Sequence, residues 1–253
     1  VAQSSYVPEP LLSRNDHGQF SNLSLGHSRL EPILPCIADG FTSSSSSHSL
    51  DLSANRISFG RTNILSELSK YQSLRHLKLS SNLVGGSGSL MTRNTTAATG
   101  IASVLALKCL ESLCMQNCNI GARCVQDIAH ALKHSQKRTS SLLFLDLRRN
   151  KLDDSACYFL SQWFNRSTSD DMSREQDAAT ATITNNNDST QGIRLSNLKN
   201  LALDDNKITH KGLSHLIDAL AEDCMLKRLS ISMNPLGIKS STSISSLLER
   251  CPE

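Results

Sequence analysis

The sequence predicts an α/β solenoid, with short parallel strands along a concave side and helices along the convex side, and three observations lead to it. The pattern L-x-x-L-x-L-x-x-N-x-L recurs along the chain, and each copy is followed by apolar residues at helical spacing. The fullest copy has Leu142, Leu145, Leu147, Asn150 and Leu152, then Ala156, Phe159, Leu160, Trp163 and Phe164. The third observation is physical. A single unit leaves its apolar side in water, and only similar units stacked on either side can cover it.

Taken in order, residues 1–19 are a polar segment interrupted by Pro8 and Pro10, and the repeat domain spans 20–253 with about seven copies. The first reads Phe20, Leu23, Leu25, Ser28 and Leu30, with Ser where Asn is preferred, and Ile33, Leu34 and Ile37 continue it. After the serine run Ser43 to Ser47 come Leu50, Leu52, Asn55 and Ile57, with Ile64, Leu65 and Leu68 as the helix face. The third copy is Leu74, Leu77, Leu79, Asn82 and Val84; a glycine-serine loop from Gly85 to Ser89 precedes its helix at Ile101, Val104 and Leu105. The fourth puts Cys118 at the Asn position, followed by Val125, Ile128, Ala129 and Leu132, an amphipathic helical spacing. The sixth and seventh carry Asn206 and Asn234, the former with a helix at Leu213, Leu216, Ile217 and Leu220. No polar capping unit follows the seventh, and the chain begins at Val1, so it reads as a fragment or a processed form.

The period is 27 residues between Ser28, Asn55 and Asn82 and 28 between Asn206 and Asn234. Asn150 and Asn206 are 56 apart, two periods with one recognisable unit. The surplus falls at about 165–192, rich in Ser, Thr, Asn and Asp and without leucine, which reads as a disordered insertion. Within a unit, period-2 leucines put their side chains on the inner face of a strand. The sharp turn that follows leaves backbone donors and acceptors pointing into the stack. An Asn side chain donates and accepts at once, so Asn55, Asn82, Asn150, Asn206 and Asn234 should form an internal ladder, with the Cys118 thiol as a small substitute. Strands pack about 4.8 Å apart and helices about 10 Å apart, so the array must curve.

Composition narrows the function classes. A formal charge of +3, with Lys and Arg dispersed, gives no reason to expect nucleic acid or an acidic membrane as partner. No apolar run reaches the roughly 20 residues of a membrane span, which predicts a soluble chain. The eight cysteines contain no C-x-x-C pair and mostly lie in periodic segments, a usage that favours a reducing, cytoplasmic setting. N-x-S/T triplets at Asn22, Asn94, Asn165 and Asn187 are expected by chance in a chain of this composition.

The repeats from Phe20 to about Leu248 resemble the ribonuclease-inhibitor class of leucine-rich repeat, a class also found in Ran GTPase-activating proteins and NOD-like receptors. The resemblance implies a horseshoe that binds a protein partner through its concave face and loop edge. It also implies two alternatives. One is a GTPase activator with a small GTPase as partner, whose crescent orients the catalytic groups of the bound GTPase. The other is the sensor region of a NOD-like receptor. The acidic tail typical of the Ran-directed family is absent from this sequence.

Residues flanking the inward leucines are expected on the solvent side of the strands. The predicted partner-binding set is Phe144, Asp146, Arg148, Arg149, Asp204, Asp205 and Met233, with His76 and Lys78 further along. Arg148 and Arg149 are expected to pair across strands with Asp204 and Asp205, while Phe144 and Met233 are expected as exposed anchors. His130 and His134 stand four apart but have no third ligand nearby, Gly85 to Ser89 lacks the Lys of a phosphate loop, and no H-E-x-x-H or G-x-S-x-G occurs. The sequence therefore proposes no catalytic site, no cofactor and no metal.

Overall fold

Each leucine pattern folds as a very short strand followed by a sharp turn, because the alternating leucines can be buried only if every strand lies beside its predecessor in the same register. The structure, a computed structural model, describes residues 18–19, 23, 48–58, 64–84, 95–133, 141–164, 197–220, 226–242 and 244–245. The strands are β1 (Gly18–Gln19), β2 (Ser49–Asp51), β3 (His76–Lys78), β4 (Ser112–Cys114), β5 (Phe144–Asp146), β6 (Asn200–Ala202) and β7 (Arg228–Ser230). They form one parallel sheet in chain order. Leu50, Leu77, Leu113, Leu145, Leu201 and Leu229 are register partners from strand to strand. The helices are α1 (Ile64–Leu68), α2 (Thr95–Leu105), α3 (Ala122–Lys133), α4 (Asp154–Phe164) and α5 (His210–Leu220), each packed on the next. None of them is long and apolar enough to cross a membrane.

Strand leucines and helix residues share one continuous core. Leu145, Leu147, Leu160 and Trp163 are buried together with their counterparts Leu113, Ile128, Leu201 and Leu216 in neighbouring units. Fully burying each such side chain contributes roughly 1.5–3 kcal/mol, and the interface between units holds most of it.

The turns show the expected ladder. Asn150 Oδ1 accepts from the backbone of Cys118 (2.9 Å) and Ile120 (3.0 Å) in the preceding unit. Its Nδ2 donates to Leu147 (2.8 Å) in its own unit and Met115 (2.9 Å) in the preceding one. Asn82, Asn206 and Asn234 repeat this scheme. Cys118 reproduces half of it: its Sγ donates to the Leu79 carbonyl at 3.2 Å, but it has no oxygen to offer backward. The Val84 amide instead reaches the Cys118 carbonyl at 3.1 Å. The residue before each ladder position, Ala54, Ser81, Asn117, Arg149, Asp205 and Met233, is left-handed, with φ between 54° and 58°.

The first unit differs from its expected register. Gly18 pairs with Leu50 and Gln19 with Asp51, so the sheet starts ahead of Phe20, and Leu23 stands where an asparagine would be. Its amide donates to Asn55 Oδ1 at 3.0 Å. A ladder asparagine serves the turn of the unit before it, so the part of Leu23 that this contact uses is its backbone amide, whatever its side chain. Ser28 and the rest of that expected copy lie outside the described residues, as do Gly85 to Ser89 and the predicted insertion at 165–192. β5 nevertheless pairs directly with β6, and the Asn150 amide reaches Asn206 Oδ1 at 3.1 Å, so no further unit stands between them in the sheet.

A second polar device ties the helices together. Asp154, the first residue of α4, accepts from the Thr209 amide (2.8 Å), the Thr209 hydroxyl (2.7 Å) and the Gly212 amide (3.0 Å) at the start of α5. Burial alone would raise its carboxyl, but these bonds outweigh that and hold it below the ordinary carboxylate value. Gly212 is required there: a Cβ would lie 2.6 Å from Asp154 Oδ1 and 2.9 Å from its Cα.

Candidate functional site

The sheet has one face against the helices and one open face, and the strand register arranges the open face in rows. One row is Ser49, His76, Ser112, Phe144, Asn200 and Arg228; the next is Asp51, Lys78, Cys114, Asp146, Ala202 and Ser230. The turn adds Arg148, Arg149, Asp204, Asp205 and Met233 along the loop edge. Neighbouring strands are about 4.8 Å apart. The predicted set therefore divides: Phe144, Asp146, Arg148, Arg149, Asp204, Asp205 and Met233 share the β5–β7 region, whereas His76 and Lys78 stand on β3, with β4 between.

Two expectations are corrected. Asp146 and Asp51 do not project into solvent; they are 3% and 8% exposed. Each carboxylate folds back onto the backbone amide two residues on, Asp146 to Arg148 at 3.0 Å and Asp51 to Ser53 at 2.9 Å, because that amide faces away from the next strand. Nor does Arg148 pair across strands with Asp204. Its guanidinium grips Asp146 with two bonds, at 2.9 and 2.7 Å, which hold it above its ordinary pKa. Asp204 is occupied by the Ser230 hydroxyl (2.7 Å) and the Ser232 amide (2.6 Å) of the following unit. The expected pairing of Arg149 with Asp205 is present at 3.5 Å, and both side chains are well exposed. Lys78 approaches Asp51 at 3.7 Å.

Phe144 is half-buried on this face, and Met233 is 79% exposed. Sequence reasoning gave no weight to Ala202, the smallest side chain in its row, which period-2 counting from Leu201 would have found, or to Lys199 and Lys227 at the leading edge of the last strands, which that counting does not place on the open face. Cys114 lies on the open face, and burial followed by the Asp146 carboxylate raises its pKa. Burial drives Cys118, Cys124 and Cys157 up to about 12, so these thiols stay protonated at neutral pH. Among the described residues no group of three or more His, Cys, Asp or Glu side chains is placed to hold a metal ion. His134 lies outside the described residues; His130 is exposed at the end of α3.

No family model matches the chain, and no curated protein matches it. Among solved structures it is similar to a chain in the "Crystal structure of TLR13-ssRNA13 complex", with 18% identity and a TM-score of 0.26. The match covers 74% of this chain and 32% of the other, so the chain spans about a third of the length of its solved neighbour.

Proposed function

We propose that the chain is a protein-interaction module, a curved stack of leucine-rich repeats of the ribonuclease-inhibitor class that holds a protein partner on its open sheet face and loop edge, with no catalytic step of its own. The curvature follows from strands that pack closer than helices. One observation carries the reading: the β5–β7 face gathers a half-buried aromatic ring, two arginines and an exposed methionine, the residue types that dominate protein interfaces, at positions where they cover none of the core. A reducing compartment accords with five free cysteines among the described residues.

The test is affinity capture with wild type, a Phe144→Ala/Arg148→Ala/Arg149→Ala variant and a helix-side Tyr158→Ala variant, with melting curves to confirm folding. Partners retained by wild type and Tyr158→Ala but lost from the triple variant are expected. Equal recovery of every partner by the triple variant would overturn the reading.

A further inference from the structure

Charge on the open face is largely neutralised within the molecule: Asp51 with Lys78, Asp146 with Arg148, Asp205 with Arg149, and Glu111 with Arg75. Three cations stand apart. The amides of Lys227 and Arg228 both donate to the Lys199 carbonyl, at 2.8 and 3.0 Å, which sets the backbones of the three residues side by side at the leading edge of β6 and β7. None of them forms an ion pair among the described residues, and Lys227 and Arg228 are exposed. Next to them the row carries a short, largely buried side chain. Ala202 ends at Cβ between its register partners Asp146 and Ser230, and Phe144 stands one row away beside Asn200.

Resting on the binding reading above, we infer that this corner receives an extended acidic segment of the partner, its carboxylates against Lys199, Lys227 and Arg228 and an apolar side chain over Ala202 against Phe144. Complementary charge steers such an encounter, and desolvated contact with the ring anchors it. A nucleic-acid strand fits less well. Its evenly spaced phosphates would run from the three cations onto Arg148 and Arg149, whose charge is already matched by Asp146 and Asp205.

The experiment is fluorescence anisotropy on the whole chain, with a short labelled peptide of alternating glutamate and leucine flanked by glycines, its lysine-leucine counterpart and an oligo-U strand. The glutamate peptide should bind at least roughly tenfold tighter than the other two and weaken with added salt. A Lys227→Glu/Arg228→Glu variant should lose about tenfold or more in affinity, and Ala202→Leu should weaken binding by filling that place. Lys211→Glu, on α5, should change nothing. Equal binding of the two peptides, tighter binding of oligo-U, or no binding of the glutamate peptide up to about 1 mM would overturn the inference. Peptide binding that falls with Phe144→Ala but ignores Lys227→Glu/Arg228→Glu sinks the acidic partner and leaves the open-face reading standing. Binding sensitive only to Lys211→Glu would overturn both.

Discussion

Two rows of polar residues, separated by only a few positions in every turn, behave in opposite ways. The asparagine row is buried from Asn55 to Asn206 and half-buried at Asn234, with carboxamides bonded to their own unit and the preceding one. The open face carries the charges: Asp51 and Asp146 are themselves buried, but Lys78 and the Arg149–Asp205 pair lie near solvent, where screening makes such pairs weak. The contrast teaches that polarity in this fold has two jobs. Inside the stack it satisfies backbone that the sharp turn would otherwise orphan, and the one rung without a carboxamide, Cys118, reproduces only half of the scheme. Outside, it leaves the residue type freer to vary.

The largest expected effect strikes the first row. Asn150→Ala strips the acceptor from the buried amides of Cys118 and Ile120 and the donor from three carbonyls, so it should cost about 3–5 kcal/mol in urea unfolding. A loss under roughly 1 kcal/mol would mean that water replaces the carboxamide and that the two rows are not different in kind. Gly212→Ala comes next, at about 1–3 kcal/mol, since its Cβ collides with Asp154, which links two helices. The Cys118 position then sharpens the comparison. Cys118→Asn supplies the missing oxygen to the preceding turn and should stabilise by roughly 0.5–1.5 kcal/mol; destabilisation would show that the turn has repacked around sulfur.

A pH titration distinguishes a carboxylate that helps hold the fold from one on the surface. The Asp154 carboxyl sits below its ordinary value of 3.8, so its contribution is complete at pH above that value and is lost as pH falls through the lower folded one. The stability difference between wild type and Asp154→Asn should be constant near neutrality and shrink in that acid window. A difference that does not change with pH would contradict the bonding to Thr209 and Gly212. The smallest effect belongs to the face: Lys78→Ala and Arg149→Ala should each shift stability by less than about 1 kcal/mol.

Much of the buried row was legible in the sequence, because leucine spacing and asparagine position are both dictated by one backbone geometry. Ile64, Leu65 and Leu68 on α1, and Leu213, Leu216 and Ile217 on α5, were readable as core from spacing alone. The first unit was misread because leucine spacing alone does not fix its register: Leu23 falls level with Asn55, and its contact there uses only the backbone amide. The face was harder. Period-2 alternation places Asp146 on the open side, but it cannot show that the carboxylate turns back to the Arg148 amide, a choice made by local hydrogen bonding. Nor can it show that Arg148 chooses a partner in its own unit while Arg149 reaches across to Asp205.

Native-state hydrogen exchange tests the separation of the two rows most directly. The amides of Ile57, Ile120 and Leu152 donate to asparagine carboxamides of the next unit, whereas those of Ser53, Arg148 and Ser232 donate to carboxylates on the open face. The expected result is that the first three exchange together, only through global opening, while the second three exchange at least about a hundredfold faster. Equal protection of both sets, or faster exchange at Ile120 and Leu152 than at Arg148, would contradict a structure whose buried polar row holds the stack and whose open row is free to bind.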